Sequence, residues 1–361
     1  MNRRTFLRMP LFPAISAAQS SRAAELHRDA IVINAHDHMW RAADTIDMRK
    51  GGVTAKIYKP LADGIYWDDR NRRTLPKGDF DWTRKYLEMA KIVEGHPGTI
   101  LIRGVADIER AKKEGKAGII LGNEGTLPLN GSIKMLDTLY HRGLRELALF
   151  WPAGNHTSHV FGKDRRLTRF GHEIIARANE LGIVLDPSHL ASSPAFDEIL
   201  EESKAPIIHT HGAATNPRAW TFNEGDLSDQ RIRAIADRGG VIGLHFCTYI
   251  KNLKGLNRPP TIDDLIDHVE YLVKVGGIGC VGIGADHFPY NPRPLKEPRF
   301  ETAAAWVEDR DWGQTFVEGM MTIAGMPLFT VGLVKRGFSD EAIRNILGGN
   351  MIRVLRQAWR K

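Results

Sequence analysis

Eight short apolar segments alternate with longer amphipathic stretches through the chain beyond residue 25. Several are continuous runs of Val, Ile and Leu, the composition of parallel strands that are buried on both faces. We predict strands at Ala30–Ala35, Val53–Tyr58, Ala117–Gly122, Glu146–Trp151, Ile183–Pro187, Pro206–Thr210, Val241–Phe246 and Cys280–Ala285. The stretches between them predict helices at Trp82–Val93, Ser132–His141, His172–Leu181, Ser228–Arg238 and Ile262–Val275. This alternation predicts an α/β fold, a (β/α)8 TIM-type barrel whose functional site lies at the carboxyl ends of its strands.

The first residues of the chain indicate targeting rather than fold. Asn2–Arg8 is similar to the twin-arginine export consensus, and a small-residue cleavage site lies near Ala23 and Ala24. We therefore expect residues 1–24 to be an export signal, which implies a periplasmic protein, and residues 25–361 to form a single barrel domain. The alternative is a basic tail on a cytoplasmic protein.

Net charge and hydropathy exclude two classes of partner. The chain carries a net charge of +7, and four arginines that precede the first acidic residue account for all but +3 of it. So mild a balance gives no reason to expect nucleic-acid binding, which needs Lys and Arg clustered on one face. The sequence also has no apolar run of about 18 residues, so we expect no membrane span.

Histidines and carboxylates gather directly after the predicted strands. The histidines are His36, His38, His189, His211 and His287, and the acidic residues are Glu124 and Asp286. Because the carboxyl ends of all eight strands meet at one face of a barrel, we expect these side chains to lie close together. Neutral imidazole and carboxylate are the groups that hold zinc and similar divalent ions.

The spacing suggests how two ions would share the site. His36 and His38 are two residues apart on an extended chain, so they point to the same side and can hold one ion. His189 and His211, on adjacent strands, can hold a second, and Glu124 is the natural bridge between the two. A single histidine after a strand is more often a hydrogen-bonded loop residue, but five candidate ligands from four strands at one end favour a metal site.

In order along the chain, these residues carry a family resemblance. The chain resembles the membrane dipeptidase family (renal dipeptidase, peptidase family M19), a branch of the amidohydrolase-type barrels, over most of residues 30–355. The matching segments are Ile33–His38 for H-x-D, Met48–Val53 for G-G-V, Leu121–Gly125 for G-x-E-G, Leu167–Gly171 for L-T-x-x-G, Leu185–His189 for D-x-S-H, Ala205–His211 for A-P-x-x-x-S-H, Gly282–Asp286 for G-x-G-x-D-F-D, and Ile346–Asn350 for L-G-G-N.

The resemblance implies a metallopeptidase with two zinc ions per chain. Their ligands would be the residues that match the family's: His36, His38, Glu124, His189 and His211. It also implies that a hydroxide between the ions attacks the scissile carbonyl, while Asp286 carries the proton to the leaving amine. The family's type enzyme is a dimer, so a homo-oligomer is expected by analogy.

Three positions depart from the family pattern. His38 replaces an Asp, which makes the cluster more positive by one charge and should acidify bound water. Trp151 stands where the type enzyme has a histidine that polarises the substrate. The arginine that grips the substrate carboxylate has no clean match, and Arg218 is the nearest candidate. We expect Trp151 and Arg218 to contact the substrate.

Together these residues predict a zinc-dependent hydrolase that cleaves the amide bond of a dipeptide or a dipeptide-like small molecule. One alternative is an amidohydrolase-superfamily enzyme that acts on another amide or on a lactone, which His38 and Trp151 favour. A second alternative is a metal-binding protein without catalysis. Asp286 argues against it, because binding alone needs no proton shuttle beside a complete ligand set.

Overall fold

The structure is a computed structural model. It describes residues 16–38, 42–63, 67–68, 73–74, 81–151, 160–162, 164–214, 226–246, 260–287 and 316–359. The strands are β1 (Ile33–Asp37), β2 (Ala55–Tyr58), β3 (Trp67–Asp68), β4 (Arg73–Thr74), β5 (Thr99–Leu101), β6 (Ala117–Leu121), β7 (Glu146–Ala148), β8 (Val184–Asp186), β9 (Ile208–Ala214), β10 (Asp226–Leu227), β11 (Val241–Leu244) and β12 (Val281–Ile283).

Helices connect most of these strands. They are α1 (Ala17–Asp29), α2 (Ala42–Lys50), α3 (Trp82–Gly95), α4 (Val105–Glu114), α5 (Ile133–His141), α6 (Arg169–Leu181), α7 (Pro194–Glu202), α8 (Asp229–Asp237), α9 (Ile262–Gly276), α10 (Pro327–Lys335), α11 (Asp340–Arg344) and α12 (Asn350–Ala358). Short 3₁₀ turns occupy Leu127–Leu129, Ile278–Cys280 and Ile323–Gly325, and a π-helical turn, Asn345–Gly349, joins α11 to α12.

The central sheet is parallel, in the order β10-β9-β11-β12-β1-β2-β6-β5. A second parallel pair, β7 and β8, continues it, because isolated bridges join Leu121 to Leu144 and Glu124 to Ala148. On the other side of that pair, the Asp186 carboxylate at the end of β8 accepts a hydrogen bond from the Thr210 N–H of β9. All eight predicted strands are therefore present, in the succession a (β/α)8 barrel requires.

Close backbone packing places Thr210 of β9 against β11 and the residue after β12. A Cβ atom on Gly243 or Gly284 would lie 2.1 Å or 1.9 Å from the carbonyl oxygen of Thr210. No side chain fits at either position, so the three strands can approach only because both residues are glycine. This contact fixes the backbone directly next to His211.

Several elements lie outside the prediction, and two of them matter for the outline of the fold. The three-residue strand β5 pairs with the first half of β6, although no strand was expected there. Helix α1 begins at Ala17, eight residues before the expected start of the folded body. Its Ala23 is 1% exposed, and its Arg22 pairs with Asp340 at the start of α11. The helix is thus packed as part of the fold.

None of the helices that the structure describes is both long enough and apolar enough to cross a bilayer.

Candidate metal centre

The predicted ligands come from the carboxyl-terminal parts of four strands of the barrel. His36 lies within β1, with His38 directly after it, and His211 lies within β9. Glu124 and His189 each follow a strand by three residues, β6 and β8 respectively. Because all these strands run parallel, their carboxyl ends bring the five side chains to one place.

The ligand atoms converge on Glu124. Its Oε1 lies 2.8 Å from His189 Nε2, 3.6 Å from His211 Nε2 and 3.8 Å from His36 Nε2, while its Oε2 lies 3.3 Å from His38 Nε2. The imidazoles also face one another, because the two Nε2 atoms of the His36–His38 pair and those of the His189–His211 pair are each 3.0 Å apart.

Among the described residues, two sets of three donor atoms lie close enough to hold an ion. One set is His36, Glu124 and His211, and the other is His36, His38 and Asp286. The second set differs from the ion predicted for His36 and His38 alone, since it adds the carboxylate of Asp286. Asp286 Oδ1 lies 3.6 Å from the Nε2 atoms of both histidines. His189 belongs to neither set but bonds directly to Glu124.

Hydrogen bonds on the far side of two rings decide which nitrogen faces the cluster. His38 Nδ1 lies 3.2 Å from the Lys59 carbonyl oxygen, which can only accept, so this nitrogen carries the proton. His36 Nδ1 lies 2.8 Å from Thr210 Oγ1, whose own proton goes to Asp186, so it also donates. In the neutral rings, both Nε2 atoms then present lone pairs to each other at 3.0 Å.

That contact is repulsive unless a cation lies between the two nitrogens. The charge of the surrounding groups favours such a cation. Burial by itself would lower the pKa of His38, but a hydrogen bond to Glu124 and the charges of Glu124 and Asp286 raise it. The pocket therefore stabilises positive charge between these rings. The donor set fits divalent metal ions, which neutral imidazole and carboxylate bind.

Electrostatics keep Glu124 ionised although it is 1% exposed. Burial alone would raise the pKa of Glu124, but hydrogen bonds and charge from His189 and His38 hold it well below its usual range. Burial also holds the pKa values of His36 and His211 well below normal, so both rings are neutral and able to donate a lone pair.

Asp186 orients the cluster through hydrogen bonds to residues next to the ligands. Its Oδ1 accepts hydrogen bonds from the N–H and Oγ of Ser188 at 2.9 and 2.5 Å, and from the Thr210 N–H at 3.2 Å. Its Oδ2 accepts from Thr210 Oγ1 at 2.5 Å, and Thr210 in turn accepts from His36. The Asp186 carboxylate thus orients His36 and also the turn before His189. His189 itself has a left-handed φ of 64°. Such supporting bonds set the tautomer and the direction of metal-binding rings.

Two buried lysines on and after β2 hold further carboxylates. Lys59 Nζ lies 2.6 Å from Glu146 Oε1 and 3.4 Å from Asp186 Oδ2. Burial raises the pKa of Glu146 to about 8 in spite of Lys59. Lys56 Nζ pairs with Asp37 at 2.9 Å, which assigns Asp37 to a buried ion pair beside the cluster.

His287, which was expected in the cluster, does not face the other imidazoles, whereas His245, which was not assigned from the sequence, contacts Asp286. The ring of His287 lies 3.4 Å from Asp37 and 2.9 Å from the Met320 carbonyl oxygen rather than among the other imidazoles. His245, which directly follows β11, has its Nε2 2.8 Å from Asp286 Oδ2. Its position just after a strand was the signal that could have found it.

The two expected substrate contacts have different outcomes. Trp151 is 9% exposed and lies three residues after β7, whose Ala148 is bridged to Glu124. It therefore follows a strand that borders the cluster, and its contact with substrate stays a prediction. Arg218 lies outside the described residues.

The model of one protein family matches nearly the whole described chain. This is Membrane dipeptidase (Peptidase family M19), which matches residues 19–321 and 306–360. The chain belongs to the membrane dipeptidase family. The predicted resemblance is thereby confirmed.

Among curated relatives of this membrane dipeptidase family protein, Dipeptidase 3 of Macaca fascicularis is 25% identical over 262 residues, which cover 70% of this chain and 48% of the relative. The chain thus spans about half the length of this relative. An amidohydrolase from Pseudomonas aeruginosa is 27% identical, with a TM-score of 0.76 over 94% of this chain and 99% of that structure.

A metallopeptidase from Rhodobacter sphaeroides, solved with a phosphinate mimic of the dipeptide L-Ala-D-Ala, is 18% identical. Its TM-score is 0.68 over 92% of this chain and 100% of that structure, a likeness of fold. The solved relatives have TIM-barrel-type folds, so the predicted fold class is confirmed.

Proposed function

We propose that this membrane dipeptidase family protein is a metal-dependent hydrolase that cleaves the amide bond of a dipeptide or a dipeptide-like small molecule. The observation that carries the proposal is the convergence of four imidazole Nε2 atoms on the ionised carboxylate of Glu124. Neutral imidazoles around an ionised carboxylate form a set that is suited to bind divalent cations rather than to stabilise the fold.

We propose zinc as the metal, which His36, His38, Glu124, His189 and His211 would hold. Bound zinc would polarise the scissile carbonyl and supply a nucleophilic hydroxide at neutral pH. The protein itself contributes the direction of each ring, through the Asp186–Thr210–His36 bonds and the Lys59 carbonyl bond to His38.

Asp286 is suited to move the proton. Its side chain is 14% exposed, more than that of Glu124, and its Oδ1 is turned toward His36 and His38 at 3.6 Å. A carboxylate in this position can take the proton of the attacking water and deliver it to the leaving amine as the C–N bond breaks. We therefore assign Asp286 as the general base and acid.

The dipeptide assignment draws on the family and on the dipeptide mimic bound by the Rhodobacter sphaeroides relative. In this chain, Trp151 offers an aromatic surface and a single N–H donor, so it cannot replace an imidazole on a developing oxyanion. With Arg218 as the nearest carboxylate-gripping candidate, we expect weak turnover of simple L,L dipeptides. Substrates with an aromatic group, or without a free carboxylate, should turn over better.

A second candidate is hydrolysis of another amide or of a lactone, favoured by His38. Neutral imidazole instead of carboxylate at this position makes the cluster more positive by one charge, which would acidify a water bound to metal there. A leaving alkoxide needs less proton transfer than a leaving amine does, so this chemistry suits such a site. The third candidate, metal binding without catalysis, would use Asp286 only as a member of the His36–His38–Asp286 donor set.

One experiment separates these candidates. Zinc-loaded full-length protein is assayed on L,L and L,D dipeptides, N-acyl amino acids and lactones, alongside elemental analysis of the same preparation. We expect about two ions per chain and hydrolysis of the dipeptide-like members. Faster turnover of lactones would favour the second candidate. Two bound ions with no hydrolysis would leave only metal binding, and active protein without metal would overturn the binuclear proposal.

Export and assembly also stay proposals. We propose that the twin-arginine-like segment, expected to span residues 1–24, directs the folded protein to the periplasm. Because the expected cleavage site near Ala23 and Ala24 lies within the packed helix α1, we propose that the signal ends before Ser16, the residue that caps α1. A homo-oligomer is proposed by family analogy alone. The N-terminus of secreted protein, read by sequencing, and the mass in solution test the two proposals.

A further inference from the structure

His245 and Asp286 form a hydrogen-bonded pair at the edge of the cluster. The Nε2 atom of His245 lies 2.8 Å from Asp286 Oδ2, and the imidazole side chain is 7% exposed. An ionised carboxylate has no proton to give, so Nε2 carries the hydrogen and donates it. A charge-assisted bond of this kind is shorter and stronger than one between neutral groups.

His245 stands apart from the groups that could hold metal. His245 belongs to neither set of three donor atoms, and its Nε2 atom is already used by Asp286. Its ring centre lies 5.6 Å from that of His211, the nearest ligand ring with which it is in contact. The ring therefore reaches the cluster through the carboxylate of Asp286.

The backbone of Asp286 is held in an unusual conformation. Its φ is 54°, in the left-handed region that residues other than glycine seldom adopt, and its N–H donates to the His36 carbonyl oxygen at 3.0 Å. The next residue is fixed too, because the His287 carbonyl oxygen accepts from the His38 N–H at 2.8 Å. With the main chain fixed, the direction of the carboxylate depends on what holds its oxygens.

We propose that His245 is a positioning residue for the reaction: it holds Asp286 Oδ2 so that Oδ1 faces His36 and His38, where the proton must be taken up. Without this donor, the carboxylate can rotate and present either oxygen or both to the cluster, as a ligand would. The inference rests on the function proposed above, because it assigns to Asp286 the transfer of a proton.

The test compares two variants of His245, one without a hydrogen-bond donor toward Asp286 and one that retains a donor. His245→Phe keeps a ring of similar size without an N–H, whereas His245→Gln keeps an amide N–H near the former Nε2. We expect His245→Phe to lower kcat by roughly 10- to 100-fold with little change in KM or bound zinc, and His245→Gln to recover most of that loss. His172→Phe, at a half-exposed ring that pairs with Glu202, is the matched control and should behave as wild type.

Three outcomes would overturn the proposal. In His245→Phe, a kcat within about twofold of wild type removes any positioning role, and loss of zinc makes His245 a ligand or part of the ligand scaffold. Equal loss in His245→Gln and His245→Phe means that the donor is irrelevant.

A readout without turnover keeps the inference separate from the proposed activity. In protein labelled with ¹⁵N-histidine, we expect a downfield Nε2–H proton resonance that is absent in His245→Phe and shifted in Asp286→Asn. If the wild type hydrolyses nothing but shows this signal, the proposed function fails while the pair stands. If the signal is absent from wild type, or unchanged in Asp286→Asn, the pairing itself is wrong.

Discussion

Glu124 and Asp286 both approach the His36–His38 pair, yet the protein holds these two carboxylates in contrasting ways. Glu124 is 1% exposed and has four imidazole nitrogens within 3.8 Å of its oxygens. The Asp286 side chain is 14% exposed, and within the described part of the chain its carboxylate makes one short bond, to His245. One carboxylate is surrounded by potential ligands, and the other is open on one side.

This difference indicates a division of labour. A buried carboxylate whose pKa lies far below normal cannot accept a proton near neutral pH, so Glu124 is suited to share its charge with cations and unsuited to proton transfer. A partly exposed carboxylate held by one imidazole N–H can both reach the substrate and transfer a proton. Each role can be broken by a single substitution.

The largest effect is expected from Glu124→Ala. Two cations a few ångströms apart repel each other strongly without a shared negative charge, so both ions should be lost. Activity should then fall by on the order of 10³-fold or more. Elemental analysis and initial rates measure the two effects. Glu109→Ala, at an exposed carboxylate paired with Arg356, is the control and should retain its ions. A variant at Glu124 that keeps two ions would show that the carboxylate is not the bridge.

Asp286→Asn is expected to separate metal binding from proton transfer. The amide keeps the shape and one coordinating oxygen but cannot carry a proton, so kcat should fall by about 10²- to 10⁴-fold while the zinc content is unchanged. Single-turnover rates and metal analysis on one preparation check this. Lost zinc would instead make Asp286 a ligand, as its inclusion with His36 and His38 in one donor set allows. Near-normal kcat with both ions would remove it from the mechanism.

The parts of this site that sequence could predict are those that follow from strand order. His36, Glu124, His211 and Asp286 follow or end strands of one parallel barrel, so their meeting at one face needed only the strand assignment. His245 obeys the same rule, directly after β11, but one histidine among several unassigned ones gave no sign of a partner until the structure placed it beside Asp286.

Other features depend on register and side-chain direction, which strand order alone does not determine. Thr210 joins Asp186 to His36 because β9 and β8 meet at one particular register, and the two close-packed glycines hold its backbone in place. The strand β5 was missed because three residues between two helices are too few for a hydrophobic pattern. The direction of His287, toward Asp37, likewise needed coordinates.

Thr210→Val tests whether the hydrogen bonds that orient His36 contribute to zinc affinity as the ligands themselves do. Valine keeps the shape but removes the hydroxyl between Asp186 and His36, so the ring loses the bond that fixes its tautomer. We expect zinc affinity to fall by roughly 10- to 100-fold, with the fold intact. Thr210→Ser retains the hydroxyl and should stay near wild type. Competition with a chelator of known affinity measures both, and equal affinities for the two variants would show that the hydroxyl does not orient His36.

The smallest expected effect is on the pH dependence of stability, and it follows from a comparison of two imidazoles. His38, next to Glu124 and Asp286, has a raised pKa, whereas His209, two residues before His211, is fully buried and neither of its ring nitrogens has a hydrogen-bond partner in the described structure. Burial lowers the pKa of His209 to about 4, although the charge of Asp186 opposes the shift. The folded protein therefore keeps this ring neutral where the unfolded chain would protonate it.

Between the ordinary histidine pKa of about 6.5 and the folded value, the unfolded state binds more protons, so the stability due to neutral His209 is present above pH 6.5 and is lost as the pH falls toward 4. From pH 7 to pH 5, this one group should remove about 2 kcal/mol from the free energy of unfolding. In His209→Leu, that part of the pH dependence should be absent. Urea unfolding of the metal-free proteins at the two pH values measures it, with metal removed so that ligand protonation and zinc release do not contribute. Equal pH dependence in wild type and variant would mean that the imidazole finds a partner, such as an ordered water, and that burial without a counter-charge is not what distinguishes His209 from His38.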